Sequence, residues 1–287
     1  MAICLPAVAM SQTSIDPPSY RVRWTDPYAI TARLPESKFF VTGGYRYGAY
    51  EGRKLEAREY RIGGTPTDWL FLWYGRTEYL VKGRSSGSRL RTEADSFGGR
   101  AILKRPSDTD RSTLALQLEY IRPTDASVRT SGSAARFEGP SIYNVALNLE
   151  DPATRFTYQL GYTNVNGAGP VQASVYNVAL GRDFFVSERF RILGQASLIG
   201  ESWKDGLGRA KDFDVRLALG GTASYRFLPW LAVEGDLTFF PAGVPFAYGS
   251  TTNLGAFLPY EPGGPAAGLR KDPVGFATLR LVAGIKF

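Results

Sequence analysis

Residues 275–287, GFATLRLVAGIKF, alternate apolar and polar side chains at period two and stop on an aromatic. Ala277, Leu279, Leu281, Ala283, Ile285 and Phe287 fall on one face of an extended chain, while Thr278, Arg280 and Lys286 fall on the other. The segment therefore reads as a strand with one apolar and one charged face. Working back from it, further strands are expected near 230–240, 212–227, 189–200, 171–182, 154–163, 141–149, 112–122, 97–105 and 68–82, with weaker candidates near 54–62 and 38–48. Residues 212–227 show the two faces most plainly. Val215, Leu217, Leu219, Tyr225 and Phe227 line one side, and Asp214, Arg216, Thr222, Ser224 and Arg226 the other.

The closing strand resembles the C-terminal strand of bacterial outer-membrane β-barrel proteins, in which the last aromatic and the apolar positions before it are read by the barrel-assembly machinery. That resemblance implies a location in the bacterial outer membrane, contact with outer-membrane lipid, and an assembly signal at Leu279, Leu281, Ile285 and Phe287. The connections agree with it. Short turns at 227–229, 185–188, 150–152 and 106–110 alternate with mostly longer segments near 123–140, 164–170, 201–211 and 241–274. The expected fold is all-β, an antiparallel up-and-down transmembrane β-barrel of about 12 strands, with ten as the alternative. Ten enters because 54–62 (KLEAREYRI) carries charge on both faces, and a charged side chain facing mid-bilayer lipid costs about 2–4 kcal/mol.

Composition is compatible with that reading. Aromatic content is 13% and the mean hydropathy is only -0.18, as expected when half of each strand avoids lipid. No run of eighteen apolar residues occurs, which excludes helical spans. Cys4 is the single cysteine, so the chain forms no disulfide within itself. It lies in an apolar start ending Ala7-Val8-Ala9, which resembles a secretory signal peptide with its cleavage site but lacks the basic leader. Residues 1–10 are accordingly expected to be a truncated signal-peptide remnant, 11–37 a periplasmic lead-in, and 38–287 a single barrel. Segment 241–274 is a long loop, external or folded inward. Its Phe246, Tyr248, Phe257, Leu258 and Tyr260 are too apolar for a freely solvated loop.

The chain has no histidine. The familiar outer-membrane barrel enzymes rely on that residue, and a serine nucleophile without imidazole lacks its usual activator near neutral pH. Glu234 and Asp236 are the carboxylates best placed for histidine-free chemistry, but at that spacing they read as luminal charges paired with arginine. The protein is thus expected not to be an enzyme. His- or Cys-based metal sites are excluded, no cofactor is implied, and no phosphate-binding loop or nucleic-acid surface is recognised.

Charge is what remains. The 34 basic residues exceed the 27 acidic ones, for a net +7. Arg46, Arg76, Arg100, Lys104, Arg155, Arg191, Arg216, Arg280 and Lys286 fall on polar strand faces and are expected to line a net-basic lumen. Such a lining favours anions. In this respect the chain is similar to twelve-stranded porins for acidic oligosaccharides, although no motif carries positions over. The expectation is a channel for small solutes, anions among them, with a filled, structural or adhesive barrel as the alternative.

Overall fold

A computed structural model describes residues 38–50, 53–67, 69–82, 89–105, 107, 110–129, 134–136, 141–166, 171–187, 189–205, 210–244 and 273–285. The expected leader and lead-in, Lys286, Phe287 and most of the 241–274 loop lie outside these residues.

The strands are β1 (Phe39–Tyr50), β2 (Arg53–Thr67), β3 (Leu70–Lys82), β4 (Arg89–Lys104), β5 (Thr113–Arg129), β6 (Ala134–Arg136), β7 (Ser141–Asp151), β8 (Phe156–Asn166), β9 (Val171–Val186), β10 (Phe190–Asp205), β11 (Ala210–Leu228), β12 (Leu231–Phe240) and β13 (Val274–Ile285). Each pairs antiparallel with its neighbours in chain order. The ring is completed where β1 meets β13, from Phe39 opposite Ile285 to Ala49 opposite Gly275. β6 only extends the hairpin beside the end of β5. The result is a closed barrel of 12 strands with up-and-down order.

Segment 54–62 belongs to the wall, so the ten-strand alternative falls. Its charges are tolerated for two different reasons. Glu59 and Arg61 point inward and are buried, whereas Lys54, Glu56 and Arg58 point outward only at the loop end of β2. Between these levels the outward face is Tyr60 and Ile62. Several strands also run further than the sequence pattern indicates. β5 continues to Arg129 and β10 to Asp205, because polar residues extend a ladder as readily as apolar ones once both backbones are paired. The loop asymmetry consequently rests on 130–140 and 241–273.

The faces are those of a membrane barrel and the reverse of a soluble one. Leu237, Phe184, Leu279, Val215, Leu160 and Val178 stand exposed on the outside, while arginines, carboxylates and amides are buried inside. Phe39, Trp69, Phe184, Phe185, Phe227 and Trp230 form an outward aromatic group at the end bearing the chain termini. A second row contains Tyr60, Tyr74, Phe97, Tyr143 and Tyr176 nearer the loops. Phe40 and Phe240 face inward, since each sits one residue out of phase with an exposed phenylalanine.

Inside, the lumen is layered. Leu55, Tyr79, Val81, Leu90, Ile121, Ile142, Val165, Val175, Ile199, Phe240 and Phe276 form an apolar band toward the loop end. A smaller apolar patch of Phe40, Phe71, Trp73, Ala232 and Val282 lies toward the termini. Gly98 opposes Trp73 across the ladder and leaves room for the indole, because a Cβ there meets the ring at 2.1 Å.

Candidate functional site

Between the two apolar layers the wall is polar, and its organisation follows from which strands supply long side chains. On β13, Arg280 pairs in register with Gly44 of β1, and Gly44 pairs in turn with Glu59 of β2. Because residue 44 has no side chain, Arg280 lies flat across β1 and reaches Glu59 at 3.2 Å, while its other arm is 3.4 Å from Glu234 on β12. A Cβ on Gly44 falls 2.8 Å from the Arg280 Cγ. Arg46 completes the group. It forms an ion pair with Glu59 and donates from Nε to Thr278 Oγ1 at 3.0 Å. One network thus ties β12, β13, β1 and β2, with all four charged groups nearly closed to solvent.

Other pairs continue around the wall. Arg61 on β2 approaches Glu119 on β5 at 3.9 Å, and its guanidinium sits 5.3 Å from the Trp73 ring. Arg100 on β4 spans β5 to bond Glu150 on β7 at 2.9 Å. Arg191 grips Asp183 bidentately, with both bonds at 2.7 Å. Near the loop end Arg216 donates to Glu201 at 2.7 Å, to Asp214 at 3.2 Å and to the carbonyls of Ala242 and Gly243. With those carbonyls held by an inward side chain, and Val244 fully buried, the chain leaving β12 turns into the lumen. Between Glu150 on β7 and Asp183 on β9, the arc from β7 to β9 is lined at mid-wall by amides and hydroxyls. There Gln159 donates to Asn148 at 2.6 Å, Asn177 to Gln159 at 3.3 Å, and Thr163 to Asn144 at 2.7 Å.

Of the expected lining residues, Arg46, Arg100, Arg191, Arg216 and Arg280 are inside and buried. Three are not. Arg76 faces outward beside Leu72 and Tyr74, bonded to Glu93 at 2.5 Å, because the inward phase of β3 belongs to Phe71, Trp73, Thr77 and Tyr79. Lys104 is exposed at the terminal rim, where it pairs with Asp110 in the turn. Arg155 stands in the turn before β8 with φ at 61°, exposed and off the wall. Lys286 lies outside the described residues. The reading of the sequence also missed Arg61, Glu59, Glu150, Asp183 and Glu201 as inward groups. Exposed Tyr60 and Ile62 mark the outward phase that would have placed the first two.

These changes correct the expectation of a net-basic lumen. Among the described residues, six arginines are buried inside (46, 61, 100, 191, 216, 280) against seven carboxylates (Glu59, Glu119, Glu150, Asp183, Glu201, Glu234, Asp236). The buried charges of the described wall are thus close to formal balance.

Leu279 and Leu281 are exposed on the outer face of β13. No family model matches the chain, and no curated protein matches its sequence. Solved structures do. An outer-membrane channel from Pseudomonas putida F1 superposes with a TM-score of 0.56 at 12% identity, over 95% of this chain and 100% of its own. The NanC porin gives 0.51 at 9% identity, over 86% and 100%. The translocator domain of the autotransporter NalP from Neisseria meningitidis gives 0.50 at 13% identity, over 87% and 88%. At these identities the likeness is one of fold: with its inverted faces and closed ring of twelve antiparallel strands, the chain has the architecture of these outer-membrane β-barrels.

Proposed function

We propose that the protein resides in the bacterial outer membrane and passes small solutes through a narrow lumen whose wall is built from arginine–carboxylate pairs. The observation that carries this reading is the Arg46–Glu59–Arg280–Glu234 network, which concentrates charge at mid-lumen while leaving little of it uncompensated. A wall of this kind selects weakly by sign. Passage of anions belongs to the proposal through the arginines, which become dominant wherever a carboxylate is neutralised. Outer-membrane lipid on the apolar exterior and recognition of Leu279, Leu281, Ile285 and Phe287 by the assembly machinery are parts of the same reading.

We assign no catalytic role. Glu234 is engaged by Arg280, and Asp236 accepts a hydrogen bond from Thr222 at 3.2 Å, which supports structural duty for both.

Planar-bilayer recording tests the channel. The native protein is expected to give a small conductance with weak selectivity, and Glu234→Gln a clear shift toward anions. Silence from both, with folded barrels shown by heat-dependent gel mobility, would overturn conduction. That outcome would favour a structural barrel, a second reading supported by the near-complete burial of inward side chains.

A further inference from the structure

The outside of the barrel is not uniform at its loop end. On β10 to β12 the outward residues there are apolar, with Leu198, Phe213, Val215, Leu237 and Phe239 all exposed. On β2 to β5 they are charged. The ladder places Tyr45, Arg58, Glu78 and Glu93 in one row, Glu56, Leu80, Arg91 and Ser127 in the next, and Lys54, Lys82, Arg89 and Arg129 in the third. These side chains enclose a groove of about 540 Å³, lined by Arg58, Arg89, Arg91 and Arg129 together with Tyr45, Leu80, Ser127, Glu56 and Glu78.

Four arginines line the groove against two carboxylates, Glu56 and Glu78, so its balance favours an anion. Glu56 is held by Lys82 at 2.7 Å, and Arg91 bonds Glu93 at 2.5 Å. Arg58, Arg89 and Arg129 form no ion pair with any described residue. Three guanidinium groups around a groove are suited to bidentate recognition of phosphate.

Position along the strands identifies what carries the phosphate. Toward the termini, two residues on from Arg58, lies Tyr60, level with Arg76 and Asp95, and two residues further lie Tyr74 and Phe97, with their rings 5.2 Å apart. Ile62 is exposed level with Tyr74 and Phe97, and Leu72 and Leu118 are exposed beyond them. From loops to termini the sector therefore runs from charged side chains, the last of them Arg76 and Asp95 beside Tyr60, to aromatic and then aliphatic ones, which is the polarity profile of a single lipid lying against the wall.

We propose that this groove binds the headgroup phosphate of a membrane lipid whose acyl chains pack on the aliphatic surface below. The site depends on the lipid-facing exterior of the barrel and is independent of whether the lumen conducts.

Native mass spectrometry of the intact protein, released from neutral detergent after titration with phosphatidylglycerol, tests it. The native barrel is expected to retain at least one lipid. The triple variant R58Q/R89Q/R129Q is expected to bind at least ~tenfold more weakly, since each basic side chain near an anionic lipid surface contributes appreciably. R105Q/R111Q, which removes two arginines at the opposite rim, is expected to behave as native. Gel mobility of the folded form confirms that both variants are barrels. Equal retention by the triple variant would overturn the proposal, and so would equal loss in the rim variant. Displacement of the lipid by millimolar inorganic phosphate would show a free-phosphate site instead. A dimer that disappears in the triple variant would show that the groove is a contact with a second copy.

Discussion

Arg280 is a lipid-barrel residue that depends on the absence of a neighbour. Its path to Glu59 exists because position 44 is glycine, and the pair is buried where ions are well coupled and poorly solvated. Gly44→Ala is therefore expected to push Arg280 off Glu59 and destabilise the barrel by about 1–3 kcal/mol, the usual cost of overpacking a filled interior. Urea unfolding of the variant in micelles measures this, and an unchanged midpoint would refute the path. At the terminal rim a second residue makes a pH prediction. Asp110 accepts from Lys104 and, at 2.9 Å, from the Ser112 backbone, and these bonds, Lys104's foremost, hold its carboxyl well below the usual aspartate range. A depressed value in the folded state means that the clasp contributes above the unfolded pKa and is lost as pH falls through the folded one. The Asp110 carboxyl resonance is expected to titrate below an ordinary aspartate, and Lys104→Met to bring it back up.

At the scale of elements, β13 and β11 were the most readable strands and β2 the least, for one physical reason. Where the outward face needs only to be apolar, alternation is visible in the residues themselves, as in Leu279 and Leu281 or Val215, Leu217 and Leu219. In β2 the inward charges are neutralised by partners on other strands, Arg46, Arg280 and Glu119, and no local pattern shows a partner remote in sequence. The same remoteness hid the carboxylates that balance the lumen, and it made Arg76 look luminal when its own partners, Glu93 and Asp95, lie outside with it. Strand ends were misjudged because ladders extend past the membrane-like pattern. The assignment of faces in β13 is testable by Leu281→Arg. Leu281 is half exposed and faces lipid, so the substitution is expected to cost about 2–4 kcal/mol if it lies near the bilayer midplane. Equilibrium unfolding into urea from phosphatidylcholine vesicles reads that cost, and an unaffected barrel would mean that the face is not in lipid.

For the whole molecule, the joint between Phe39–Tyr50 and Val274–Ile285 has a meaning in time as well as in space. The two strands that seal the cylinder are the first and last to be made, so every earlier stage of synthesis leaves two open sheet edges with unmet donors and acceptors. A contact spanning nearly the whole chain is among the slowest to form, because the intervening loop must be closed before any bond rewards it. Both edges therefore stay unpaired until β13 is in place. The ring can close only once β13 is available to pair with β1, so the synthesis of that strand sets the earliest moment of closure.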